Sequence, residues 1–251
     1  MDNEIAQQVA TQAFELWISP EIDRRRQAGN LPIEFSLYAA QVIFDLDRNA
    51  PQVRLNPEVN AVVAARATRP IAKGEAVTMT DFSEIDAIHL AAERDPNAAH
   101  LTLVLHRGNW NITFDFRYNA ARIVETAAAA REFLDCAAFA IERGQLRAGL
   151  DNLFSATELM AKGLLLALPD KTIVTGRKHS ILSARFNLFS KHRNMDGRFP
   201  ELLNRLSTLR PGARYLEVMK GGAKGTEEML GIAEDMHKSL MSNIPKRVRV
   251  E

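Results

Sequence analysis

The chain contains little of what marks secreted or strongly nucleic-acid-binding proteins. Its 251 residues include one cysteine, Cys136, so no internal disulfide can form. The apolar surroundings of that cysteine, FLDCAAFAIE, predict a buried core residue rather than a reactive thiol. Lysine and arginine (32) balance aspartate and glutamate (31), which leaves a net charge of +1. Any electrostatic attraction to nucleic acid must therefore come from a local patch.

Motifs for metal ions, cofactors and membranes are also missing. No HxH, HExxH or CxxC motif occurs, and His100 and His106 lie about 20 Å apart on an extended strand, too far to share one ion. Because GxxxxGK[ST] and GxSxG are absent as well, we expect neither a metal nor a cofactor. The start, MDNEIAQQ, does not resemble a secretory signal, and the most apolar stretch, LMAKGLLLAL, is about half the length of a membrane span. These features predict a cytoplasmic protein.

The first half of the chain shows helical and then strand periodicity. Residues 4–17 predict a helix, and Ser19 predicts the N-cap of a second helix. From Leu31 onward apolar residues alternate with polar ones, as in half-buried strands. The clearest hairpin is HLTLVLHRGNWNITFDF, where we expect Gly108-Asn109 to form the tight turn. We predict an antiparallel β-sheet with flanking helices, an α/β domain, over residues 1–119.

The second half is helical in its period. One long helix carries apolar residues in a 4-3-4-3-4 spacing, at Ile123, Ala127, Ala130, Leu134, Ala137 and Ile141. Pro200 predicts the start of a later helix and Pro211 its break. The predicted fold class is therefore α+β, with an up-and-down helical bundle over residues 120–245.

The second long helix has more apolar surface than one neighbour would cover. Phe154, Ala161 and Leu165 form a second stripe beside the first. A helix with two apolar stripes needs two partners. We therefore predict that the bundle forms a homodimer.

Two pairs of polar side chains in the bundle are candidate functional groups. Glu158 and Lys162 are spaced i,i+4, which places them on one helix face where they can pair. Arg185 and His192 are seven residues apart, so a helix brings them to within about 20° of each other. Such a histidine could move a proton in RNA cleavage while the arginine stabilises the phosphate charge. The alternative is a surface arginine and a histidine at a helix end.

Basic residues are concentrated in the same part of the chain. A local basic patch is compatible with a net charge near zero and would favour contact with nucleic acid, although a solvated helix face has the same composition. The patch comprises Arg177, Lys178, Lys191, His192, Arg193, Arg198, Arg205, Arg210 and Arg214.

At these residues the chain resembles the HEPN superfamily (higher-eukaryote and prokaryote nucleotide-binding domains). The resemblance covers residues 121–215 and rests on three phrases, the helix around NLFSATELMAKGLLL, KHS at 178–180 and ARY at 213–215. It implies a four- to five-helix bundle, often dimeric. Many family members are metal-independent endoribonucleases of toxin or defence systems, and others only bind nucleotides or partners.

The resemblance leaves two functions open. Catalytic members carry arginine, four to six residues and histidine, which Arg185 and His192 match, but they usually have a polar residue where this chain has Phe186. That difference favours a binding module for a nucleotide, RNA or protein partner. The alternative is a metal-independent endoribonuclease acting at a dimer cleft. The expected binding residues are Glu158, Lys162, Arg177, Lys178, His179, Arg193 and Arg214.

Overall fold

A computed structural model describes residues 3–91, 93–176, 179–215 and 225–245. The chain divides into two compact units, Met1–Tyr118 and Asn119–Glu251. The predicted α+β fold class is confirmed, because antiparallel sheets in the N-terminal half are followed by a helical C-terminal half. Within the described ranges, every helix is too short or too polar to cross a membrane.

The N-terminal unit begins with helix α1 (Asn3–Ala13), a π-helical turn (Phe14–Ile18) and helix α2 (Ser19–Gln27), which follow one another without a break. The prediction that Ser19 caps a separate helix is wrong, since Ser19 has helical φ and ψ angles of −62° and −45°. Proline in a helix lacks an N–H donor and crowds the preceding turn. The wider π turn before Pro20 accommodates that proline, so the helix continues.

Two antiparallel sheets complete this unit. The larger has the strand order β2-β1-β5-β6, and the smaller pairs β3 with β4. One face of the larger sheet packs its apolar side chains against the N-terminal helices, which forms the unit's main core. The strands are β1 (Ala39–Phe44), β2 (Gln52–Leu55), β3 (Ala61–Ala67), β4 (Phe82–Leu90), β5 (Ala99–His106) and β6 (Asn109–Asp115).

The predicted hairpin is formed by β5 and β6, with a turn one residue earlier than expected. His106 pairs with Asn109, so the two-residue loop is Arg107-Gly108 rather than Gly108-Asn109. Both loop residues have positive φ, 50° and 78°. A type I′ turn requires positive φ at both positions, which glycine adopts freely and arginine accepts here.

The C-terminal unit is a bundle of six helices in the described residues. Its main core is built from the two longest helices together with the later ones. The helices are α3 (Ala120–Glu142), α4 (Leu146–Leu166), α5 (Lys171–Thr175), α6 (His179–Lys191), α7 (Arg198–Arg214) and α8 (Thr226–Asn243).

The apolar residues of α3 and α4 lie where the helical period predicts, but two interpretations drawn from them are wrong. The second stripe of α4, Phe154, Ala161 and Leu165, is buried inside the same bundle. The additional neighbours come from this chain, so the stripe offers no surface to a second copy. Cys136 is exposed rather than buried, because it lies on the opposite side of α3 from the seam that includes Leu134 and Ala137.

Helix α7 also differs from the prediction, because Pro211 lies inside it rather than ending it. Proline removes one hydrogen bond, to the carbonyl of Ser207 four residues earlier, and leaves the following residues free to remain helical. Only three residues, to Arg214, follow in the helix. The last turn, with Gly212, is joined to α4 by a hydrogen bond from Arg147 to the Gly212 carbonyl.

Candidate functional site

A half-open pocket lies between α4, α5 and the start of α6 in the helical unit. Its volume is about 240 Å³. Leu159, Ile173 and Leu182 supply part of its apolar wall, and polar side chains of α4 and α6 also line it. Ligand sites commonly have this composition, with apolar walls and a few convergent polar groups, although most are larger, at roughly 300–1,000 Å³.

Three side chains from three helices form a hydrogen-bonded chain at this pocket. His179 Nδ1 lies 2.8 Å from Glu158 Oε1, and His179 Nε2 lies 3.3 Å from Ser207 Oγ. A carboxylate can only accept, so Nδ1 carries a proton and donates to Glu158. In the neutral imidazole Nε2 then accepts from the Ser207 hydroxyl. The ring is thereby fixed in position and in tautomer, and it joins α6 to both α4 and α7.

Lys162 lies on the pocket wall one turn beyond Glu158. Sequence spacing suggested that these two residues could pair, but the Glu158 carboxylate is taken by His179. Among the described residues, Lys162 has no ion-pair partner. Lys162, a half-buried residue, is therefore available to pair with an anionic group in the pocket.

Next to the hydrogen-bonded side chains of Glu158, His179 and Ser207, further charged side chains connect α4 with α7. The Arg210 guanidinium lies 4.3 Å from the centre of the Phe154 ring, and that ring lies 5.1 Å from the His179 ring. Arg210 and Arg214 also lie 3.3 Å and 3.9 Å from the carboxylate of Asp151. These two arginines are therefore partly neutralised, and their first role is to join α7 to α4.

Arg185 and His192 line a smaller pocket of about 140 Å³, together with Phe189 and Asp170. Arg185 Nε lies 3.7 Å from Asp170 Oδ2. Hydrogen bonds from Thr172, aided by the charge of Arg185, hold the pKa of Asp170 below its ordinary value.

The residues around the predicted catalytic pair differ in their burial. Phe186, the apolar residue after Arg185, is fully buried in the core of the bundle. His192 is exposed just after α6. The structure thus brings the two predicted catalytic side chains to one pocket, with the arginine next to an acid of its own chain.

Two of the remaining predicted binding residues, Arg193 and Arg214, do not line the pocket beside Lys162. Arg193 lies in the turn after α6, with a left-handed φ of 58°. Arg214 is the last residue of α7 and faces Asp151. Arg177 and Lys178 lie outside the described residues.

Some site residues were not predicted from the sequence. Ser207 and Thr172 carry no motif, Phe154 was expected only as part of the second apolar stripe of α4, and Ser207 meets His179 across 28 positions of sequence. Helical periodicity indicates which face of α7 turns inward but not which residue of another helix it meets. The one available signal was the position of Ser207, one turn before Arg210 in a segment with concentrated polar residues.

Comparison with known proteins found no family model that matches the chain, no similar protein among curated proteins and no similar solved structure. The resemblance to HEPN domains therefore remains a hypothesis based on the phrases quoted above.

Proposed function

We propose that the helical unit is a binding module for a nucleotide, either free or at an accessible position of an RNA. The observation that carries this proposal is Lys162, an ammonium group without an ion-pair partner among the described residues, in a pocket whose other walls are largely apolar. A phosphate group would pair with Lys162, and the base would pack against Leu159 and Leu182. The pocket volume, about 240 Å³, suits one nucleotide fragment rather than a dinucleotide.

The polar chain of Glu158, His179 and Ser207 supports binding rather than hydrolysis. An acid, an imidazole and a hydroxyl in this order resemble the catalytic triad of hydrolases. Ser207, however, lies in the middle of α7, where backbone N–H groups bond within the helix and cannot stabilise an oxyanion. We assign these residues to shaping the pocket wall and presenting the His179 ring to the ligand.

A binding titration with matched variants tests this proposal. Nucleoside mono- and triphosphates and a short single-stranded RNA are titrated into the full chain by calorimetry. We expect Lys162→Ala to weaken binding about tenfold or more, because a charge-assisted hydrogen bond is lost. Lys238→Ala is the control, since it removes the same charge from an exposed site on α8.

Two results would overturn the binding proposal. One is that neither nucleotides nor the RNA bind to the wild-type chain at millimolar concentration. The other is that Lys162→Ala and Lys238→Ala bind as well as each other. A signal that only a protein partner produces would assign the pocket to protein recognition instead.

The alternative function is a metal-independent endoribonuclease that uses Arg185 and His192. It is supported by one observation, that both side chains line the same small pocket. The ion pair of Arg185 with Asp170 counts against it, because the guanidinium is partly neutralised before any phosphate arrives. Structured RNA incubated in EDTA with wild type, Arg185→Ala and His192→Ala separates the two functions. If the wild type cleaves the RNA and both variants do not, the protein is an endoribonuclease. If all three give the same cleavage pattern, this function is ruled out.

A further inference from the structure

A groove of the N-terminal unit lies between α1 and strand β6, at the edge of the larger sheet. Its volume is about 840 Å³, which falls in the range of roughly 300–1,000 Å³ that ligand sites have. Four consecutive residues of β6, Asn109–Ile112, line it. Because successive side chains of a strand point to opposite faces, a groove that touches all four follows the edge of the strand. The facing wall is formed by Gln7, Ala10, Thr11, Phe14 and Glu15.

Trp110 provides a flat aromatic surface at this groove. It is 36% exposed, and its ring centroid lies 5.7 Å from that of Phe14 at an interplanar angle of 72°. This edge-to-face contact holds the indole in a fixed orientation. The face of an aromatic ring carries partial negative charge, and the C–H groups on the face of a sugar ring carry partial positive charge. The exposed part of the indole is therefore suited to stack on a sugar.

The polar groups of the groove are of the kinds that bind sugar hydroxyls. The amides of Gln7, Asn109 and Asn111 both donate and accept, and Thr11 and Glu15 supply a hydroxyl and a carboxylate. The amide nitrogens of Asn109 and Asn111 donate to backbone carbonyls two residues earlier, over 3.5 Å and 3.4 Å. These bonds leave the amide oxygens as acceptors. Since a sugar hydroxyl both donates and accepts, mixed amide and carboxylate groups can satisfy it on both sides.

The edge of β6 adds backbone groups to the same groove. In an antiparallel pair, alternate residues direct their N–H and C=O groups away from the partner strand. The two-residue loop makes His106 and Asn109 a hydrogen-bonded pair, so Trp110 and Ile112 direct their backbone groups to the other side. Among the described residues, no strand pairs with β6 on that side. Further donors and acceptors are therefore open to a ligand beside the indole.

The charge of the groove disfavours an anionic ligand. Glu15 lines it, and Glu4 lines an adjoining groove on α1 that shares Gln7 and Thr11. Neither groove is lined by a lysine or an arginine of the described residues. A nucleic acid would therefore meet carboxylates where its phosphates need cations.

An extended peptide also suits the groove less well than a sugar. A peptide strand added to a sheet edge gains its specificity from recesses that take alternate side chains. The apolar residues of this groove that could form such recesses, Ala10, Phe14 and Ile112, are already packed against the core of the unit. What remains accessible is one indole surrounded by amide, hydroxyl and carboxylate groups.

We propose that the groove between α1 and β6 binds a neutral oligosaccharide, with one sugar ring stacked on Trp110 and its hydroxyls bonded to the surrounding polar groups. The adjoining groove on α1, which Gln8 and Gln12 also line, provides room for a second ring. Because the site is open to solvent, we expect a dissociation constant between about 0.1 and 1 mM. The site belongs to the N-terminal unit and does not depend on nucleotide binding in the helical unit.

Tryptophan NMR tests this site directly, because the chain contains two tryptophans and each gives one indole N–H signal. Trp110 lies at the groove, whereas Trp17 is half-buried, with its ring centroid 5.1 Å from that of Phe44. Cellotriose, chitotriose and maltotriose are titrated separately into the full chain at millimolar concentration. We expect at least one of them to shift the Trp110 signal saturably while the Trp17 signal stays in place.

Matched variants, measured by calorimetry, separate the groove from other exposed residues. Trp110→Leu should weaken binding about tenfold or more, because the stacked ring is lost. The control Tyr38→Ala removes an aromatic ring that is 51% exposed and does not line the groove, so it should leave binding unchanged. Since Trp110 also contacts Phe14, a second pair leaves that contact intact. Gln7→Ala should weaken binding about threefold through one lost hydrogen bond, and Gln27→Ala, at the exposed end of α2, should not.

Four outcomes would overturn the proposal. The first is that none of the three sugars moves the Trp110 signal, and the second is that the Trp17 signal moves as much. The third is equal binding by Trp110→Leu and Tyr38→Ala. The fourth is that trigalacturonate, an anionic sugar of the same length, binds more tightly than each neutral one. All four are measured at the N-terminal unit, so they are independent of the result at Lys162.

Discussion

At the scale of single residues, Glu21 shows how the N-terminal helices are joined to the sheet. Its carboxylate accepts hydrogen bonds from Arg24 and Arg25, and Arg25 in turn reaches Glu58 beyond β2. The hydrogen bond from Arg24 is the largest cause that lowers the pKa of Glu21 from 4.5 to about 2. A lowered pKa means that the folded state favours the charged form, so the stabilisation is complete above about pH 4.5 and is lost as the pH falls toward 2.

We therefore expect Glu21→Gln to reduce the free energy of unfolding by about 1–2 kcal/mol at pH 7. The difference from wild type should fall by about half or more at pH 3. Denaturant unfolding followed by tryptophan fluorescence measures it, because both tryptophans, Trp17 and Trp110, belong to the N-terminal unit. Asp23→Asn is the control, since Asp23 is exposed and faces Arg26 at 3.7 Å. A Glu21→Gln effect that does not change with pH would contradict this assignment.

At the scale of residues, the sequence predicted correctly which side chains share a face of a single helix. The spacing of Glu158 and Lys162 correctly placed them on one face of α4, and both line the pocket between α4, α5 and α6. It could not indicate that His179 would take the Glu158 carboxylate, because that contact depends on how α6 packs against α4. The contact of His179 with Ser207 on α7 could not be predicted for the same reason, because contacts between helices produce no periodic pattern in the sequence.

At the scale of elements, α4 approaches its neighbours closely through glycines. A Cβ added at Gly163 would lie 2.9 Å from Cδ1 of Leu240 on α8, which is fully buried. Leu240 has little room to move, so we expect Gly163→Ala to reduce the free energy of unfolding by about 1–3 kcal/mol. Ellipticity at 222 nm during denaturant unfolding measures the change.

Gly231 on α8 provides the matched control for this prediction. A Cβ there would meet nothing within 4 Å. Alanine should therefore stabilise the helix by about 0.5–1 kcal/mol, because it restricts the unfolded chain and favours the helix. Effects of the same sign for Gly163→Ala and Gly231→Ala would show that close packing does not control the α4–α8 contact.

Elements were easier to predict from sequence than the boundaries between them. The buried seam of α3 and the facing apolar residues of β5 and β6 follow from periods of 3.6 and 2. The structure departs from the prediction at Ser19, at Arg107-Gly108 and at Pro211. At each of these positions a local rule of capping, turn or proline chemistry gave way to the continuation of a packed element.

At the scale of the whole molecule, the two units have separate cores. The buried core clusters of the first unit lie in residues 13–103, and the large buried cluster of the helical bundle lies in residues 123–244. We therefore expect residues 1–118 and 119–251 each to fold when expressed alone. Far-UV circular dichroism should show a strongly helical spectrum for the second fragment and a mixed one for the first. Either fragment lacking a cooperative unfolding transition would contradict this expectation.

Nucleotide binding in the pocket beside Lys162 and His179 can be observed most directly at the His179 ring itself. Side-chain NMR of the six histidines, with His179 identified by its loss in His179→Gln, is recorded with and without saturating nucleotide. We predict that the His179 signals shift while those of His89, on β4 in the other unit, stay in place. His179 signals that do not move, or a joint movement of all six histidines, would contradict nucleotide binding in this pocket.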